Sequence, residues 1–234
     1  MSKIAMLDDL ITSYQQLNYH QNAVLAQRLR DVQLWQKQRI QHTHAQHFAQ
    51  KNHQAMANYF LERLYGSADF DEMASQVQRL TKHMHKVEKM IPEAAFQTGK
   101  AALVLAVYAV QLDEQVASHI LENYPKEQAI DDEMMRQTYV SLDQAEARQQ
   151  QLAMLDQLGH GLDHYLNSFM VQTAFKMCKN LAYKHRYNLM YDFVNEGFIA
   201  MKPLKSAEKF VQDFTQIERQ IIQKVHQGDL QPFR

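Results

Sequence analysis

The chain is poor in the residues that interrupt or staple a fold. One cysteine, Cys178, occurs in 234 residues, so no intramolecular disulfide and no four-thiolate zinc site can form, and nothing points to an oxidising compartment. Six glycines and four prolines, with no alternating run rich in Val, Ile and Thr, leave strands without support and make helix the default. The longest apolar run, Ala101 to Val110, falls well short of the roughly 18 to 20 residues that span a bilayer. Asp8 and Asp9 stand where a secretory signal needs its apolar stretch, so a cytoplasmic protein with no membrane partner is expected. A formal net charge of -1 supplies no global field to recruit nucleic acid.

What is present is helical patterning. Phe70, Met73, Val77, Leu80, Met84, Val87 and Ile91 recur every three or four residues, the stripe of a helix packed in a bundle, and Pro92 ends it. Glu93 to Asn123 is apolar around most of its circumference in its middle, as suits a helix surrounded by others. Asp131, Asp132 and Glu133 favour a helix start through the macrodipole, with that helix reaching about Leu158. Gly159-His160-Gly161 reads as a turn or kink, and a stripe resuming at Leu162 runs towards Met201. Ser206 caps a final helix that carries Phe210, Phe214, Ile217, Ile221 and Val225 and stops at Gly228. At the other end Ile4, Leu7, Ile11 and Tyr14 form a short stripe, and a Gln-rich helix begins around Asn22. The architecture expected is all-α: one domain over residues 1–234, about seven or eight helices bundled around a central apolar helix, with 229–234 a flexible tail.

Tyr59-Phe60-Leu61-Glu62-Arg63-Leu64-Tyr65-Gly66, followed by Asp69-Phe70, resembles the signature of a bacterial family of uncharacterised proteins named for an FFLEELY motif. Tyr59 replaces the motif's first Phe and Arg63 its second Glu. Ile91-Pro92, Leu112-Asp113, Phe193-Val194-Asn195-Glu196-Gly197-Phe198 and a segment from Phe210 to Glu218 follow in the same order, so the resemblance spans roughly residues 40 to 220. It implies a helical fold and no particular chemistry. Read from the residues alone, Phe60, Leu61 and Leu64 make a buried stripe, Glu62 and Arg63 face water, and Gly66 supplies a left-handed residue that ends a helix.

Three constellations are candidates for chemistry. Twelve histidines invite a metal or haem reading. His160 and His164 lie one helical turn apart with Asp163 beside them, a candidate metal set, though the same groups can take up orphan backbone partners at a helix start. His42, His44, His47 and His53 read as a solvated helix face without a nearby carboxylate, and His83 and His85 as surface residues. Glu-x-x-His pairs are absent, which excludes a di-iron carboxylate bundle, and no phosphate loop, dinucleotide turn or nucleophile elbow occurs. Cys178, with His185 in sequence reach, reads as a buried small apolar group. Residues 165–190 hold Lys176, Lys179, Lys184 and Arg186 and no acid, while acids outnumber bases across 66–161. Lys176, Lys179, Tyr183 and Arg186 therefore form a candidate nucleic-acid face over residues 175–187, or a cationic face that is solvated or docks on the acids of 113–133. The leading expectation is a non-enzymatic helical protein acting through protein–protein contacts, as a homo-oligomer or with another partner, with no cofactor. Its 13 methionines offer adaptable apolar surface. A haem or transition-metal bundle and a weak nucleic-acid binder are the alternatives.

Overall fold

The structure is a computed structural model that describes residues 3–66, 69–83, 93–166 and 168–234. Helices α1 (Lys3–Gln15), α2 (Ala23–Thr43), α3 (Ala45–Phe48), α4 (Gln54–Tyr59), α5 (Phe70–His83), α6 (Glu93–Asn123), α7 (Asp132–Leu142), α8 (Ala145–Leu166), α9 (Phe169–Met177), α10 (Lys179–Lys184), α11 (Asn188–Met201) and α12 (Ala207–His226) follow one another, and no strand occurs among the described residues. No described helix is long and apolar enough to cross a membrane.

Several starts follow from local chemistry. The Asn22 side chain accepts from the amides of Val24 and Leu25, both at 3.1 Å, that of Asp131 from Met134 at 2.8 Å, and that of Ser206 from Lys209 at 3.0 Å. Each satisfies an amide that the first helical turn leaves without a partner.

The helices outnumber the expected seven or eight because the long periodic stretches are broken. The stretch from Asp131 to Leu158 is divided at Asp143, a left-handed residue with φ 47°. The stretch after Leu162 is divided three times, at the Ser168 cap, at Cys178 and around Arg186, where φ is +60°. Periodicity persists through such breaks because each new helix still needs an inward apolar side.

Gly159-His160-Gly161 corrects the opposite way, since α8 runs through it unbroken. Gly159 is there for closeness: a Cβ on it would lie 2.9 Å from Val211 Cβ on α12. Asp156 fastens the same seam, accepting from Thr215 Oγ1 at 2.6 Å and from Arg219 at 2.7 Å.

Helix α6 packs against α1, α2, α7 and α8, with Val116, Ala117 and Ile120 fully buried. Phe70, Met73, Val77 and Leu80 of the α5 stripe are buried or half-buried; Met84, Val87, Ile91, Pro92 and His85 lie outside the described residues, as does the side chain of His83. The free tail expected at 229–234 is corrected. Pro232 and Phe233 are buried, and the Phe233 ring meets Trp35 edge-on, centroids 5.0 Å apart.

Candidate ligand cavity

Between these helices lies a cavity of about 470 Å³, walled mainly by apolar side chains of α5, α6, α8, α11 and α12. Its wall includes Phe60, Leu64 and Tyr65, three residues of the Tyr59–Gly66 segment. Residues Phe60–Leu64 form a single wide π turn continuing α4, a distortion often found at functional positions. Gly66 then takes φ +62°, the left-handed conformation expected of it.

The scattered segments singled out in the sequence converge here. Tyr59 donates to the Phe193 carbonyl at 2.8 Å, an approach that Gly197 permits, since a Cβ there would sit 3.0 Å from the Tyr59 hydroxyl. Arg63 donates to Glu196 at 2.8 Å and to Asp69 at 2.6 Å. It is therefore a bridge between segments, whereas Glu62 does face water as expected. Tyr65 donates to Asp113 at 2.8 Å, and the Phe60 ring lies 5.0 Å from that of Phe214.

One end of the cavity is polar. Glu218 Oε1 accepts from Arg39 and shares a hydrogen bond with His44 Nε2 at 2.6 Å. Arg39 also donates to Gln36 at 2.8 Å, and Gln36 donates to the Tyr139 hydroxyl. Arg148 lies over the Tyr139 ring, 5.6 Å from its centroid, and donates to Asp113 at 3.0 Å. Burial works against the Glu218 charge, but the Arg39 guanidinium and His44 overcome it and hold the carboxyl down at about 2. Burial, reinforced by Asp113, pushes the Tyr65 phenol well up, and burial takes Tyr139 to about 12.

These groups suit binding better than proton transfer. The phenols stay neutral donors, and Glu218 is too weak a base once paired. Three buried atoms of the lining residues find no hydrogen-bond partner: Arg39 Nε, Arg148 Nε and Gln144 Oε1. A buried polar atom left unpaired costs about 1 to 3 kcal/mol; these three lie behind the cavity surface, closed off from water, while other atoms of the same residues reach the wall. Two arginines against two carboxylates leave this end without net charge among those four groups.

Of the four histidines read as a solvated face, His42 is exposed as expected and the other three are not. His44, His47 and His53 are buried, not a solvated face; His44 stacks on Phe214 at 4.2 Å, and His47 lies 4.7 Å from His53. Burial, then His53 and His44, lowers the His47 pKa to about 4. The carboxylate this group needed was Glu218, remote in sequence. His160 is 78% exposed and meets Glu208 at 3.1 Å, while Asp163 accepts from the Ala207 amide at 2.6 Å and from the Ser206 hydroxyl. Asp163 thereby anchors the start of α12. The His164 side chain lies outside the described residues, and among the described residues no three His, Cys, Asp or Glu are grouped to hold a metal ion. The one described imidazole lining the cavity is His226.

Cys178 is exposed, contrary to expectation. Lys176, Lys179, Tyr183 and Arg186 are also exposed, and the acids of 113–133 do not meet them. Asp113 holds Arg148, Glu114 accepts from the Asn18 and Tyr19 amides, and Asp132 accepts from the Trp35 indole at 3.1 Å.

Sequence reasoning missed Arg39, Arg148 and Tyr139. One signal was available: Asp113 lies next to Leu112 and one turn from Val116 in the helix that carries the longest apolar run of the chain, where a buried carboxylate demands a buried cation.

No curated protein and no solved structure matches the chain. Residues 16–232 match a family described as a domain of unknown function, DUF8198, and with nearly all of its length so covered the chain belongs to that family.

Proposed function

We propose that this chain is a small-molecule binding protein whose central cavity takes the apolar body of an amphipathic guest and whose polar end holds a neutral oxygen-bearing head. The observation that carries the reading is an apolar space of about 470 Å³ whose wall gathers the polar residues Gln36, Arg39, Tyr139, Gln144, Arg148 and Glu218 at one end. The volume lies within the roughly 300 to 1,000 Å³ usual for ligand sites, and a mostly apolar wall with a few convergent polar atoms is their common composition. Water is a poor occupant, because a buried water needs two to four polar partners and most of this wall offers none. A neutral head is favoured over a carboxylate because Glu218 and Asp113 already balance the two arginines.

The test is titration with Nile red, a neutral polarity-sensitive dye, followed by displacement with a long-chain alcohol and with the fatty acid of equal length. Saturable one-to-one binding is expected, with the alcohol displacing better than the acid. Ala106→Phe, which places a ring in the cavity, should weaken dye binding by about tenfold or more, a loss of ~1.4 kcal/mol or greater. Failure of the wild-type chain to bind saturably, or equal binding by the filled variant, sinks the reading.

A further inference from the structure

Helical spacing puts Phe169, Met170, Thr173, Ala174 and Met177 on one side of α9 and Val171, Gln172 and Phe175 on the other. The side with the larger apolar surface points outward. Phe169 is 83% exposed, Met170 80% and Met177 78%, and Leu181 of α10 adds a further 53%. The inner side is engaged: Phe175 stacks on Tyr191 with centroids 4.5 Å apart. Burying such side chains is worth about 1.5 to 3 kcal/mol each, and a cluster of them left in water marks a surface that meets something.

The charge around this face indicates what. Lys176, Lys179, Lys184 and Arg186 are exposed, and none of them is in an ion pair among the described residues. Beside the patch, Lys176 joins Lys202 and Lys205 around a pocket of about 200 Å³. Asp163 also lines that pocket, but its carboxylate is taken up by Ser206 and Ala207.

We propose that the α9–α10 face docks on an anionic lipid surface, Phe169, Met170, Met177 and Leu181 entering the boundary between headgroups and acyl chains while the four cations meet the headgroups. Apolar residues on one side with flanking lysines are the composition of helices that lie in a membrane interface. A second copy of the chain suits the face less well, because a two-fold contact would bring these cations against each other. Nucleic acid also suits it less: the Tyr183 hydroxyl is held by Asp192 at 2.7 Å, its ring is covered by Lys179 at 5.6 Å, and Phe175 is already stacked. The proposal stands independently of what the central cavity binds.

The experiment is co-sedimentation of the full chain with vesicles of phosphatidylcholine alone and of phosphatidylcholine mixed with phosphatidylserine. Binding is expected to the mixed vesicles and not to the neutral ones. Phe169→Ser with Met177→Ser should abolish it, and Lys176→Gln or Lys179→Gln should each weaken it roughly fivefold. All of these side chains are exposed, so thermal melts of the variants should match the wild type. Four outcomes overturn the proposal: no sedimentation with anionic vesicles; sedimentation indifferent to the double serine variant; a dimer in gel filtration that the double variant dissolves while vesicles are ignored; or a single-stranded oligonucleotide bound equally by wild type and double variant in the absence of vesicle binding.

Discussion

Glu218 Oε1 serves both Arg39 and His44 in a nearly dry setting, with the Glu218 side chain 12% exposed and the Arg39 side chain 8%. Glu218→Gln keeps the volume and removes the charge, leaving a buried guanidinium without a counter-ion. A loss of about 3 to 5 kcal/mol is expected, read from urea unfolding at neutral pH. The carboxyl falls from its ordinary 4.5 to about 2 on folding, so its contribution is fully present above 4.5 and disappears as pH falls towards 2; the Gln variant should lack that part of the acid slope. His47 acts in a different window. Its pKa drops from 6.5 to about 4, so between those values the unfolded chain binds the extra proton and stability rises with pH. The wild type should therefore lose up to about 3 kcal/mol as pH falls from 6.5 to 4. In His47→Gln that slope should flatten, and an unchanged slope in the variant would assign the titration to another group.

The seam between α8 and α12 rests on a missing side chain. Gly159→Ala would press a methyl into Val211 at 2.9 Å, and overpacking of that kind costs about 1 to 3 kcal/mol, despite alanine's better helix propensity. Were propensity to win, the variant would melt higher than the wild type, and close approach would no longer explain the glycine. This position also shows where sequence reading ends. A glycine announces either a bend or a neighbour close by, and the choice belongs to the partner helix fifty residues away. Elements whose causes are local were legible: the helix start around Asn22, the cap at Ser206, the α6 boundaries at Glu93–Asn123 and the left-handed Gly66 all appear. The candidate site was legible only in pieces. Tyr65, Asp113 and Glu218 stood out singly, but a wall shared by five helices has no period in any one of them. His44 and His47 likewise looked solvated, because the Phe214 and Phe210 rings that cover them come from α12.

At the scale of the whole molecule the cavity is a packing demand that the surrounding helices must meet. Side chains that border open space forgo the packing contacts they would otherwise make, and about 470 Å³ of such space, part of it open to solvent, runs through the middle of this fold. Whatever closes or fills this space therefore matters more than its position in the chain suggests. The carboxy-terminal residues do part of this: Phe233 lines the cavity, is 4% exposed and leans on Trp35, the sole tryptophan. Truncation after Gly228 should cost about 3 to 5 kcal/mol, the loss typical of deleting a buried aromatic ring, and Phe233→Ala alone should reproduce most of it. Urea unfolding followed by Trp35 fluorescence reads both the stability and the opening of this end, since exposure of the indole shifts its emission to the red in the native baseline. A truncated chain with unaltered midpoint and emission would show that the last six residues do not hold the end of the cavity, and closure would then rest on the surrounding helices.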